Sequence, residues 1–108
     1  MNVQDKINIL YNNCKNLLSY EFDNSIEIKN VDEAYLIQDS FINLKKKNGF
    51  GEIGGWKVAL TNPEMQKLVG VDNPVEGAIL NSLIYKNNVS LKLENYCHLG
   101  VEAEIALK

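Results

Sequence analysis

Apolar residues near the amino terminus recur with a helical period. Val3, Ile7, Leu10, Cys14 and Leu17 are spaced by four, three, four and three residues. That places them on one face of an amphipathic helix, predicted to end near Tyr20. A connection follows from Glu21 to Lys29, with the Ser25–Ile28 stretch expected to be partly extended. Asn30 then has the character of a helix cap, and Glu33 stands three positions on to complete a capping-box-like pair. Ala34, Ile37, Phe41 and Leu44 form the stripe of the second helix. Lys45-Lys46-Lys47 and Asn48-Gly49 close it, the lysines complementing the helix dipole and Gly49 suiting a left-handed position after the last turn.

After Gly51 the period changes. Ile53 to Leu60 is a short apolar run bounded by turn residues, which predicts a strand. Gly54 and Gly55 weaken that strand intrinsically, and such glycines mark close approach of a backbone or ligand. Asn62-Pro63-Glu64 combines cap, first-turn proline and early acid, opening a short helix that ends at Gly70. Asp72-Asn73-Pro74 predicts a turn, because the residue before proline avoids helical backbone. Ala78 to Tyr85 reads as a further strand and Asn87-Asn88 as a turn, while Val89, Leu91 and Leu93 alternate as in a half-buried strand. Val101, Ala103, Ile105 and Leu107 also alternate with Glu102, Glu104 and Ala106, predicting a last strand. Lys108 follows it directly, so the element reads as truncated. These elements predict an α+β fold, two amino-terminal helices followed by mixed β structure. The whole is expected to form one domain over 1–108, helical over 1–50 and β-rich over 51–108.

Composition narrows the function classes. The chain has 108 residues, 45% hydrophobic and 23% charged, as in an ordinary globular domain. With 11 basic and 14 acidic residues and no basic patch beyond the three lysines, it does not read as a nucleic-acid binder. No apolar stretch approaches the ~20 residues that span a bilayer, and no signal peptide is visible. Cys14 and Cys97 have no metal-ligand spacing and read as reduced thiols in packed positions, with a disulfide between them as the alternative. Reduced thiols and the missing leader lead to a cytoplasmic expectation.

Two places could carry chemistry. In an extended strand Glu102 and Glu104 share one face, about 6.6 Å apart along the strand. Two neighbouring carboxylates repel unless a cation or a proton joins them, and a hard cation such as Mg²⁺ takes oxygen ligands of this kind. The alternative is the wet face of an amphipathic strand. Lys57 projects beside Gly55 and Ala59, away from Trp56, Val58 and Leu60. It either faces a cavity that takes an anion or guards a strand edge. His98 is the one histidine and has no triad partners in the pattern. No P-loop, dinucleotide fingerprint or Ser-His-Asp arrangement occurs.

Four blocks then combine: Glu33–Gln38 (EAYLIQ), Gly55–Thr61 (GWKVALT), Met65–Gly77 (MQKLVGVDNPVEG) and Val101–Leu107 (VEAEIAL). In order and spacing the chain from about Val31 onward resembles the amino-terminal portion of the 2-keto-4-pentenoate hydratase and 2-oxo-acid decarboxylase family, in the fumarylacetoacetate hydrolase superfamily. The resemblance implies the start of that superfamily's β fold, a homo-oligomer, and hydration of an unsaturated 2-keto acid from the breakdown of aromatic compounds. It implies Mg²⁺ or Mn²⁺ with Glu102 and Glu104 as two ligands, a third acidic ligand lying beyond Lys108. It also implies Lys57 in the substrate pocket, where it binds the keto-acid carboxylate or assists proton transfer. Where many family hydratases carry a carboxylate and an aromatic residue, this chain has Val75 and Glu76. Glu76 is therefore a candidate substitute for the carboxylate. Without such a carboxylate the pattern points to a decarboxylase-like or unassigned activity, and a C–C hydrolase of the superfamily is the other chemical alternative. Ala59 replaces the family's glycine after Lys-Val, which narrows the pocket. The short chain is expected to be inactive by itself. From a different class, a non-catalytic remnant or small oligomeric binding module fits the same pattern.

Overall fold

The computed structural model describes residues 1–19 and 26–108. Residues 21–25 of the expected connection and Tyr20 itself lie outside that range. The chain divides into two compact units, one of residues 1–27 and 88–108 and the other of residues 28–87.

The first unit opens with α1, Val3–Lys15. Asn2 caps it, its side-chain oxygen accepting from the Asp5 N–H at 2.9 Å while Asp5 Oδ2 accepts from the Asn2 N–H at 3.3 Å. The helix stops short of Tyr20, because Leu17 turns left-handed at φ 55. The Leu18 N–H then reaches back to the Asn13 carbonyl at 2.8 Å and the Leu17 N–H to that of Cys14 at 3.2 Å, satisfying the last carbonyls. Ile7 is buried at 3% exposure, and Lys6 beside it is also buried.

The expected strands at Val89–Leu93 and Val101–Leu107 do not form. Asn88 takes a left-handed turn at φ 64, a single 3₁₀ turn occupies Leu93–Asn95, and residues 101–108 have no regular structure. Alternation becomes a strand only where another strand supplies a hydrogen-bonded ladder. Among the described residues neither segment has such a partner. The thiols are both free, but only Cys14 is half-buried; Cys97 is exposed rather than packed.

The second unit begins with α2, Val31–Lys45. Asn30 caps it as predicted, accepting from the Glu33 N–H at 2.9 Å. The reciprocal bond is shifted by one residue: Glu33 Oε2 accepts from the N–H of Lys29, at 2.6 Å. The helix runs on into a π-type turn over Lys46–Phe50, inside which Gly49 already leaves helical backbone at φ 92. The basic run there is structural. Lys45 Nζ lies over the rings of Phe41 and Phe50, 5.3 and 4.8 Å from their centroids, and Lys46 pairs with Glu52 at 2.8 Å.

Two strands follow, β1 at Ile53–Ala59 and β2 at Val75–Leu80, paired antiparallel. The α+β class holds, with this pair as the β part and no mixed sheet among the described residues. β1 ends where Leu60 turns to φ 55. β2 starts earlier and ends sooner than the apolar run Ala78–Tyr85 predicts. Pro74 leaves Val75 able to enter the ladder, and Asn81–Leu83 coils into a 3₁₀ turn tied by the Asn81 N–H to the Glu52 carbonyl at 2.8 Å. A bulge lies between Ile53 and Gly55. There a Cβ on Gly54 would collide with the side-chain oxygen of Asn81 and stand 2.8 Å from Ile84 Cδ1. The close approach expected at this glycine is therefore made by side chains of the chain itself.

Between the strands lies α3, Pro63–Val69. Its predicted punctuation is intact: Asn62 accepts from the Met65 N–H at 2.8 Å, Pro63 opens the first turn, and Gly70 closes the helix at φ 80. Gln66 Nε2 donates to the Leu60 carbonyl at 2.8 Å, tying α3 to the end of β1. Ile37 and Leu80 are this unit's buried apolar residues, at 3% and 1% exposure. No described helix is long and apolar enough to cross a membrane.

Candidate functional site

The register of β1 and β2 places the candidates. Lys57 stands opposite Gly77, with Gly55 opposite Ile79 and Ala59 opposite Val75. Cross-strand partners and alternate residues share a face, so Lys57 rises from a surface whose nearest positions are Gly55, Ala59 and Gly77. Ile84 Cδ1 and Gln38 Nε2 border two of these positions, 3.8 and 3.7 Å from where a Cβ on Gly55 and on Gly77 would stand. Gly77 is the addition made by the fold, since only the register shows that it faces Lys57.

Glu76 stands opposite Val58, and Ala78 opposite Trp56. Glu76 thus belongs to the other face of the ladder, with Trp56 and Val58. The sheet does not bring the two catalytic candidates together.

What the fold does to Glu76 is hold its backbone. The hydroxyl oxygen of Tyr35 accepts from the Glu76 N–H at 3.2 Å, and Gln38 Nε2 donates to the Glu76 carbonyl at 3.1 Å. Tyr35 and Gln38 lie three residues apart on α2 and therefore on one helix face. Sequence reasoning assigned neither a role. The signal available was a pair of polar side chains at i, i+3 among the apolar stripe of that helix.

Glu102 and Glu104 belong to the other unit, in the exposed segment 101–108. Without a strand there, the spacing expected from a strand rise does not apply. Their carboxylates are the oxygen donors that a hard divalent cation takes. Among the described residues no group of three or more His, Cys, Asp or Glu side chains assembles. As a donor type, carboxylate oxygen is one that Mg²⁺ or Mn²⁺ accepts. His98 is exposed in the same unit.

Comparison with known proteins agrees with the hydratase resemblance. The chain is 42% identical over 74 residues to a protein named 2-keto-4-pentenoate hydratase from Burkholderia vietnamiensis, a match covering 68% of this chain. It is 39% identical over 74 residues to one of the same name from Paraburkholderia phymatum, and 35% over 77 residues to one from Paraburkholderia xenovorans. The chain spans about 28% of the length of these curated relatives. No family model matches it, and no solved structure does. Across about 70% of its length, the chain is similar to 2-keto-4-pentenoate hydratases.

Proposed function

We propose that this chain carries part of the site of a divalent-metal-dependent hydratase acting on an unsaturated 2-keto acid. The observation that carries this reading is the 35–42% identity to proteins named for that activity. It is supported by the register at Lys57, whose neighbouring positions on its face of the ladder are Gly55, Ala59 and Gly77. A compact cation in that setting suits the carboxylate of a keto acid. Glu102 and Glu104 would hold the ion through their carboxylate oxygens. Bound Mg²⁺ or Mn²⁺ would supply Lewis acidity, polarising the 2-keto carbonyl. Lys57 then orients the substrate and exchanges a proton at its Nζ as the double bond is protonated and water adds. The fumarylacetoacetate-hydrolase-like fold, the role in aromatic breakdown and the cytoplasmic setting belong to this proposal.

A second reading, a 2-oxo-acid decarboxylase, is favoured by one observation. The carboxylate available after Pro74 is Glu76, and the ladder turns it to the face opposite Lys57. Decarboxylation has no attacking water to activate, whereas hydration gains from a base beside the water, the part the resemblance gives to a carboxylate after Pro74.

The test is a backbone-amide NMR titration of the chain with oxalate, a 2-keto-acid mimic, in Mg²⁺. The proposal predicts saturable shifts at Lys57, Glu102 and Glu104, lost in Lys57→Met. Shifts absent from all three, or unchanged in Lys57→Met, would overturn it.

A further inference from the structure

Most glycines of the second unit have a reason in the fold, and Gly77 does not. Gly49, Gly51 and Gly70 take positive φ, and a Cβ on Gly54 would collide with Asn81. Gly77 lies inside β2 with no such backbone demand. Apart from its chain neighbours, one described heavy atom stands within 4 Å of where its Cβ would be, Gln38 Nε2 at an ordinary contact distance of 3.7 Å. A glycine inside a strand costs stability that alanine would restore. Where the backbone does not require it, it marks a place that something else approaches closely. That place is on the face of Lys57, directly across the ladder from it.

The neighbour of this position is an amide with a donor to spare. Gln38 is half-buried, and its Nε2 donates to the Glu76 carbonyl at 3.1 Å. Because the acceptor is a carbonyl, the nitrogen and not the oxygen of the amide stands at that end. A primary amide has two N–H groups, and among the described residues no acceptor takes the second. The group is planar, so the bond to Glu76 holds the second N–H in a fixed direction and removes the cost of ordering it on binding. On the other side of Gly77, the Cβ of Lys57 stands about 4.5–5.5 Å away by the spacing of cross-strand partners.

We infer that Gln38 is a second binding residue for the carboxylate of the 2-keto acid, its remaining N–H donating to one oxygen while Lys57 takes the other over Gly77. The inference rests on the reading of Lys57 given under the proposed function. An ammonium is a point charge on a flexible stem and fixes no orientation. An amide N–H held by the strand supplies the direction that the ammonium lacks, and its bond to an ionised oxygen is of the stronger kind. α2 thereby joins the site through the same side chain that grips β2.

The experiment follows the Gln38 side-chain amide by proton–nitrogen correlation NMR while oxalate is added in Mg²⁺. The proton bonded to Glu76 should hold its position, and the other should move downfield with the midpoint seen at the Lys57 backbone amide. Gly77→Ala puts a methyl between the two groups, so its Kd for oxalate should rise about tenfold while it melts no lower than wild type. Gln38→Leu should weaken oxalate about tenfold as well. Tyr35→Phe loosens the same strand position and keeps the amide, so its Kd should be unchanged. Three results would each overturn the inference and leave the hydratase reading standing. They are a Gln38 amide that stays still while Lys57 responds, a Gly77→Ala variant that melts earlier or keeps wild-type affinity, and a Tyr35→Phe loss equal to that of Gln38→Leu. No response at Lys57 would overturn both.

Discussion

The side-chain amide of Gln38 donates to the main-chain carbonyl of Glu76 across 3.1 Å, joining α2 to the outer edge of β2. With Tyr35 accepting from the N–H of the same residue, both backbone groups of one edge position are satisfied by a helix. Sheet edges left bare invite pairing with other chains, and a helix laid along one edge prevents it. The face presented by Lys57 depends on this arrangement, because the position of β2 sets what stands opposite each residue of β1.

Removing either grip should loosen the pair without unfolding it. Both bonds are exposed, so water can replace part of what is lost. Tyr35→Phe and Gln38→Leu should each cost about 0.5–1.5 kcal/mol in urea unfolding. The discriminating signal is amide exchange at Glu76, which should accelerate in Tyr35→Phe. Unchanged exchange there would show that the hydroxyl does not hold the strand.

At the bulge, Gly54→Ala should destabilise by about 1 kcal/mol, the low end of overpacking, because the obstructing atoms are side-chain ends that can turn. Asn81→Ala in the same chain should recover most of that loss, since the Asn81 oxygen is what the new methyl meets. Thermal melts of the two single variants and the double variant measure the coupling. Strict additivity would contradict the assigned cause.

Gly70 offers the opposite case. At φ 80, with nothing within 4 Å of an added Cβ, its substitution carries a backbone cost and no collision. Gly70→Ala should lose about 1–2 kcal/mol, and Gly70→Asn distinctly less, because asparagine tolerates the left-handed region. Equal losses would point to a side-chain contact instead.

Local punctuation carried most of the fold's legibility. Asn30, Asn62, Pro63 and Gly70 all act where cap chemistry puts them, because a cap is decided within one turn of helix. The strands were legible only where a partner exists. Ile53–Ala59 and Val75–Leu80 find each other, while the equally regular alternation at Val89–Leu93 and Val101–Leu107 has no ladder. Alternation states which way side chains would point, not what they would pair with. For the same reason Lys57 and its small neighbours could be seen in the sequence, but Gly77 opposite it and Glu76 on the far face could not. Both follow from a register set across the α3 connection.

The central claim is that Glu102 and Glu104 hold a divalent ion for a 2-keto acid, and calorimetric titration with Mn²⁺, with and without oxalate, tests it most directly. The account predicts Mn²⁺ binding that tightens when oxalate is present and disappears in Glu102→Gln/Glu104→Gln. No heat of binding in either protein, or binding indifferent to the double substitution, would contradict it and leave the acidic segment a solvated one.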